Sequence, residues 1–291
     1  MKKWYFLMLL ASLCVLPCKA QKKPAVVILT AGQSNTDGRV SNKDLPAEIK
    51  KDKYQYCQWS FGSSSLSGKG QFKKFWPRIN SNTPGRWGYD AIVYWNIEKQ
   101  LQQDFYVIKE SLGGTAIDTL CYSYNKEYWN ASPEYLAKNR ASDKGGKSLL
   151  KAFTENIGAC IDQKLSQLSE GYDIKLMLWH QGESDRQQAQ NYYHNLKQVI
   201  SYVRQYLVEK TGKKKYAQLP IVLGGIAHQS KQWSQGVEDA QKKLANEDAN
   251  IYLVEVPTAS LGSDVLHFNA EGATELGTKM YQLIKRKKLL K

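Results

Sequence analysis

Ala25-Val26-Val27-Ile28-Leu29-Thr30-Ala31-Gly32-Gln33-Ser34-Asn35 is the stretch on which the fold turns. Ala25–Thr30 is a short continuous apolar run, not an alternating one. That pattern belongs to a strand covered on both faces, as in a parallel sheet. The run stops at Gly32, and Ser34 follows two residues later. A serine directly after such a strand starts a turn or helix. Its own N–H is then free to donate, and the helix dipole favours negative charge there. A nucleophilic serine needs this setting. Taken alone, the same serine reads more simply as an ordinary helix cap.

The same rhythm continues downstream. Phe105–Ile108, Ile174–Leu178, Ile221–Ile226 and Ile251–Val256 read as strands. Asp90–Gln102, Lys147–Leu168, Asp185–Val208, Val237–Ala245 and Ala270–Lys287 read as helices. In the second of these, Leu149, Leu150, Phe153, Ile157 and Ile161 recur near the helical period. Alternating strands and helices with short connections predict an α/β protein: a three-layer, doubly wound parallel sheet of about five strands, flavodoxin-like. Two stretches break the rhythm. Asp52–Trp87 is rich in Gly, Ser and aromatics, and Leu120–Lys144 is polar with several Tyr. Both fall where loops wall the site beyond the carboxyl ends of strands. Their aromatics suit either sugar stacking or packing over the core.

The chain has 291 residues, 42% of them hydrophobic, and a formal charge of +14. It is too apolar for a disordered chain, and five Cys are too few for a disulfide scaffold. Lys2 and Lys3, an apolar run from Trp4 to Leu16, and Cys18-Lys19-Ala20 read as a signal peptide over residues 1–20, cleaved near Ala20. Residues 21–291 then form one exported domain, periplasmic or secreted, with no membrane span. Loss of Lys2, Lys3 and Lys19 lowers the charge by three. The basic residues are scattered and no nucleic-acid motif occurs, so a solvated surface is expected and not a nucleic-acid partner. Cys57, Cys121 and Cys160 remain, enough for one disulfide of undetermined pairing.

Three more segments carry chemistry. Asp264-Val265-Leu266-His267 precedes the closing helix, and topology puts it on the same sheet edge as Ser34. His267 is a candidate general base, with Asp264 setting its tautomer. Trp179-His180-Gln181-Gly182-Glu183-Ser184-Asp185 follows a central strand. Ser111-Leu112-Gly113-Gly114-Thr115 offers glycines that let N–H groups approach a ligand.

GQSN at Gly32–Asn35, Gly113-Gly114, HQGESD at His180–Asp185 and DxxH at Asp264–His267 come in the order of the SGNH hydrolase blocks. Within that superfamily the chain resembles the sialate O-acetylesterase and carbohydrate esterase family 6 branch, which includes acetylxylan esterases. There HQGE stands in place of the usual asparagine block. The resemblance spans the mature chain and implies the SGNH hydrolase fold. It also implies a serine esterase that removes acetyl groups from carbohydrates such as sialic acid, xylan or pectin, with no metal or other cofactor. Ser34 is similar to the nucleophile and His267 to the base. Asp264 and Glu183 are rivals for the acid. The implied oxyanion hole is the Ser34 N–H, a Gly113 or Gly114 N–H, and the Gln181 side chain. Gln33, Asn35, Arg39, Trp87, His180 and His228 are candidate substrate contacts. The chain departs from the pattern at Thr36-Asp37-Gly38-Arg39 and at Val265, Leu266 and Phe268, which bears on the substrate more than on the reaction. Two other classes remain open. One is a non-catalytic glycan-binding protein. The other is a metal-dependent hydrolase using His180, Glu183, Asp264 and His267, although their spacing fits no HExxH pattern.

Overall fold

The computed structural model describes Met1 and residues 23–62, 70–77, 85–142 and 145–291. The leader read over residues 1–20 lies, Met1 apart, outside them. Among the described residues one sheet holds seven strands. They are β1 (Ala25–Gly32), β2 (Cys57–Gly62), β3 (Lys73–Lys74), β4 (Phe105–Ser111), β5 (Tyr172–His180), β6 (Ile221–Gly224) and β7 (Ile251–Val254). Their spatial order is β3-β2-β4-β1-β5-β6-β7. Every neighbouring pair is parallel except β2 with β3.

β1 lies at the centre because all eight of its residues are buried. Alternate side chains leave a strand on opposite faces, so each residue feeds one of two cores. Val27 and Leu29 join Phe153, Ile157, Val199 and Leu244. Val26 and Ile28 join Ile92, Tyr94, Leu276 and Met280. Full burial of one such side chain contributes about 1.5–3 kcal/mol. The second face is therefore covered by α1 (Tyr89–Leu101) and α5 (Ala270–Arg286), and the first by α2 (Leu149–Gln163), α3 (Ala189–Thr211) and α4 (Gln235–Glu247). Helix ends are set locally. The Ser148 and Asn269 side chains accept from the N–H groups of Lys151 and Gly272, and Gly212 ends α3 in the left-handed region.

The sheet has more strands than the five expected. The five expected strands are all present, but β2 and β3 arise from the aromatic stretch between Asp52 and Trp87. Cys57-Gln58-Trp59-Ser60-Phe61-Gly62 shows no unbroken apolar run. A distant residue helps place it: Glu98 on α1 accepts the N–H groups of Gln55, Tyr56 and Cys57 at 2.7, 2.8 and 2.9 Å. The chain leaves β4 on one side of β1 and returns as β5 on the other. That reversal makes the carboxyl end of β1 a switch point, where open α/β sheets hold ligands. Cys57, Cys121 and Cys160 are buried and unpaired, so the disulfide that the sequence allows is not formed. Among the described residues no helix is long and apolar enough to cross a membrane.

Candidate active site

Ser34 opens a single helical turn, Ser34–Asp37, at the end of β1. As the first helical residue it has no helical carbonyl behind it to donate to, which leaves its N–H outside the helical ladder. The turn is possible because position 32 is glycine. Gly32 has φ +152°, and a Cβ there would lie 2.1 Å from the His180 carbonyl oxygen. Gln33 N–H donates to that carbonyl at 3.0 Å, and Thr36 Oγ1 donates to it at 3.1 Å. The serine turn is thus fastened to the end of β5.

His267 sits in a turn built by Asp264. Asp264 Oδ1 accepts the N–H groups of Leu266 and His267 at 2.9 and 3.0 Å. Its Oδ2 lies 2.7 Å from His267 Nδ1. Partial burial pushes the Asp264 carboxyl up, but the His267 ring and these two N–H groups outweigh it and hold it down to about 2. Val265 within the turn has φ +55°, a costly conformation for a β-branched residue. The neighbouring loop holds it: Lys231 N–H donates to Val265 O at 3.1 Å, and Ser230 Oγ donates to Leu266 O at 3.2 Å.

Glu183 lies elsewhere. Its Oε1 accepts from Asn35 Nδ2 at 3.0 Å and is 3.5 Å from His180 Nδ1. Of the two rival carboxylates, the one bonded to His267 is therefore Asp264. His180 is fully buried between Tyr89 and Phe268, and burial lowers its imidazole pKa despite Glu183. Asn35 reaches the other way as well, its Oδ1 accepting Phe268 N–H at 3.1 Å.

The Gly113-Gly114 loop crosses in front of Ser34. A Cβ on Gly113 would lie 1.9 Å from Arg39 Nη2 and 3.3 Å from Ser34 Cβ, so a side chain there would displace the Arg39 guanidinium and crowd Ser34. Gln181 does not reach this point as expected. Its Nε2 donates to Thr115 O at 3.1 Å and to the Asp185 carboxylate, which commits both amide hydrogens. Asp185 also accepts the N–H groups of Ile117 and Asp118, at 3.0 and 2.8 Å. Gln181 and Asp185 therefore shape the glycine loop from behind. Burial pushes the Asp185 carboxyl up to about 6, against the N–H and amide groups that bond it.

The family model of SASA, "Carbohydrate esterase, sialic acid-specific acetylesterase", matches residues 24–286. The chain belongs to this family. It is a carboxylic ester hydrolase. Among solved structures it is similar in fold to a protein of Arabidopsis thaliana, at 21% identity over 90% of this chain and 98% of that one, TM-score 0.65. NanS follows at 13% identity over 91% and 98%, TM-score 0.59. A carbohydrate acetylesterase of Xanthomonas citri shares 15% identity with TM-score 0.57; the match covers 89% of this chain but only 55% of that protein. Comparison with curated proteins gives no match.

The remaining candidates in this SASA esterase separate into wall and scaffold. A cleft of about 720 Å³ is lined by Arg39, Arg86, Asp264 and His267, among others. Arg39 donates to Asp37 at 2.7 Å. Trp87 is not a wall: it is 1% exposed, packs in the core, and donates to Ser41 O at 3.0 Å. Its neighbour Arg86 takes the place expected of it. Gln33 is buried and accepts the Ser184 N–H at 3.3 Å, which braces the serine turn. His228 turns away to Glu238, 2.7 Å from its Oε2. Trp129 packs on Trp179 inside the first core, whereas Tyr122 and Tyr124 stand exposed. Among the described residues no three metal-ligating side chains converge. Asp185, Arg86, Ser230 and Lys231 were not singled out from sequence. Asp185 stood within the quoted HQGESD segment, but the N–H groups it accepts, on Ile117 and Asp118, lie 68 and 67 residues away.

Proposed function

We propose that the chain is a serine esterase that hydrolyses O-acetyl esters on carbohydrates. The single observation that carries this is the 2.7 Å contact between His267 Nδ1 and the Asp264 carboxylate. A neutral imidazole that donates from Nδ1 keeps its lone pair on Nε2. Ser34 Oγ attacks the acetyl carbonyl while His267 Nε2 takes the hydroxyl proton. The oxyanion is received by the Ser34 N–H and by an N–H of Gly113 or Gly114, each donor contributing about 3–4 kcal/mol. The tetrahedral species collapses and breaks the bond to the sugar oxygen, which receives the proton from His267. Acetyl-Ser34 remains. Water, deprotonated by His267, attacks it, releases acetate and returns the proton to Ser34.

The substrate in this reading is an acetylated glycan: sialic acid, or a plant cell-wall polymer such as xylan or pectin. The reading rests on the family and on an open cleft of about 720 Å³ that His267 lines. The basic n-region and the apolar run from Trp4 to Leu16 support export before action.

The test is acetate release by purified mature protein from an aryl acetate, acetylated xylan and O-acetylated sialic acid. Acetate should vanish in Ser34→Ala and persist in chelator, and the relative rates rank the glycans. Acetate release unaffected by Ser34→Ala would remove the serine from the reaction.

A further inference from the structure

The glycine loop continues into a ribbon whose pattern the ester chemistry does not use. Leu120, Tyr122 and Tyr124 are 74%, 78% and 46% exposed, while Cys121 and Ser123 between them are 3% and 4% exposed. Ser123 is extended, with φ −135° and ψ 137°. Tyr122 and Tyr124 therefore leave the backbone on the same side, about 7 Å apart. The inward residues anchor the ribbon. Ser123 Oγ accepts Ala116 N–H at 3.0 Å and donates to Glu127 O, and Tyr128 Oη donates to Cys121 O at 2.9 Å. The next two residues, Asn125 and Lys126, have φ of +54° and +56°. Such strain persists only where the surroundings enforce it.

The ribbon also lies at the reacting centre. Tyr124 N–H donates to Gly114 O at 2.9 Å. Gly114 adjoins Gly113, whose Cβ position is 3.3 Å from Ser34 Cβ. A rigid loop that holds three large apolar side chains in water beside a catalytic serine marks a binding surface. One face of a pyranose is a plate of C–H groups, which complements the negative face of an aromatic ring.

We propose that Leu120, Tyr122 and Tyr124 form a carbohydrate subsite that stacks a pyranose ring next to the acetylated one. The subsite rests on the esterase reading of Ser34 and names the part of the substrate that is selected.

Full-length protein and the Tyr122→Ala/Tyr124→Ala variant are compared on two esters. One is triacetin, which has no ring. The other is whichever of acetylated xylo-oligosaccharide and O-acetylated sialyllactose the wild type hydrolyses faster. The ratio of kcat/KM for oligosaccharide over triacetin should fall roughly tenfold, through KM, and recover in Tyr122→Phe/Tyr124→Phe because stacking uses the ring and not the hydroxyl. An unchanged ratio overturns the subsite. Binding of both deacetylated oligosaccharides to Ser34→Ala is titrated in parallel, with and without the two Tyr→Ala changes. Binding that disappears with the tyrosines supports the subsite even where no ester is cleaved, an outcome that would count against the esterase reading alone. Binding indifferent to the tyrosines overturns the subsite.

Discussion

Asn35 Oδ1 accepts the backbone N–H of Phe268 at 3.1 Å, so the residue after the serine holds the residue after the histidine. The same side chain donates to Glu183 at 3.0 Å. One amide thus joins the ends of β1 and β5 to the turn before α5. Asn35→Ala removes both bonds and frees the histidine turn on one side. The expected result is a kcat lower by about 100-fold, since small misplacement of a reacting group costs that much, with a smaller change in KM. Steady-state kinetics on an aryl acetate checks it. Wild-type kcat would mean that the turn keeps its place through its other hydrogen bonds, those of Asp264, Ser230 and Lys231 among them.

The two carboxylates should respond differently. Asp264→Asn leaves an amide beside His267 Nδ1 and favours the wrong tautomer, so kcat should drop about a thousandfold or more. Glu183→Gln keeps an oxygen that can accept from Asn35, so the loss should stay near tenfold. Parallel kcat measurements decide. A Glu183→Gln loss exceeding that of Asp264→Asn would reverse the assignment.

Asp185→Ala should destabilise the protein by about 3 kcal/mol, because buried N–H groups of Ile117 and Asp118 lose their acceptor. Denaturant unfolding measures this. In the residual folded enzyme the glycine loop is unbraced and kcat should fall as well. A variant as stable as the wild type would show that water or another group replaces the carboxylate at no cost.

Glu110 on β4 supplies a pH signature. Burial pushes its carboxyl up to about 8, which outweighs the Lys147 ammonium 3.7 Å away. The folded protein then holds this proton more tightly than the unfolded chain does. Its contribution is full below the unfolded value of about 4.5 and is lost as the pH rises through about 8. The melting temperature should fall between about pH 5 and pH 9, and fall less in Glu110→Gln. Identical pH profiles for the two proteins would count against a protonated Glu110.

The parallel sheet was legible because its inner strands are continuous apolar runs bounded by helical periodicity, as in Val26–Leu29 and Leu176–Leu178. β2 was hidden because it lacks the continuous apolar run of the inner strands and a carboxylate from α1 helps to position it. Ser34, Asp264 and His267 could be placed on one edge from topology alone. What sequence could not supply was direction. Trp87, His180 and Gln181 sit in or beside the expected segments, yet their side chains turn inward. Whether a polar group after a strand faces substrate or scaffold depends on partners far along the chain. Ser41 for Trp87, the Phe268 ring for His180 and Thr115 for Gln181 supply those partners here.

The outermost strand has a bearing on solubility. β3 is two residues long, Lys73 and Lys74, and both are exposed. An open parallel sheet ends in a row of unsatisfied backbone groups, which another chain can extend. Among the described residues β3 is only two residues long, runs against the direction of the other strands, and carries two positive charges. A second copy approaching this side meets repulsion before it meets a hydrogen-bond template. Two lysines on a short, reversed edge strand are a device by which sheet proteins discourage edge-to-edge pairing.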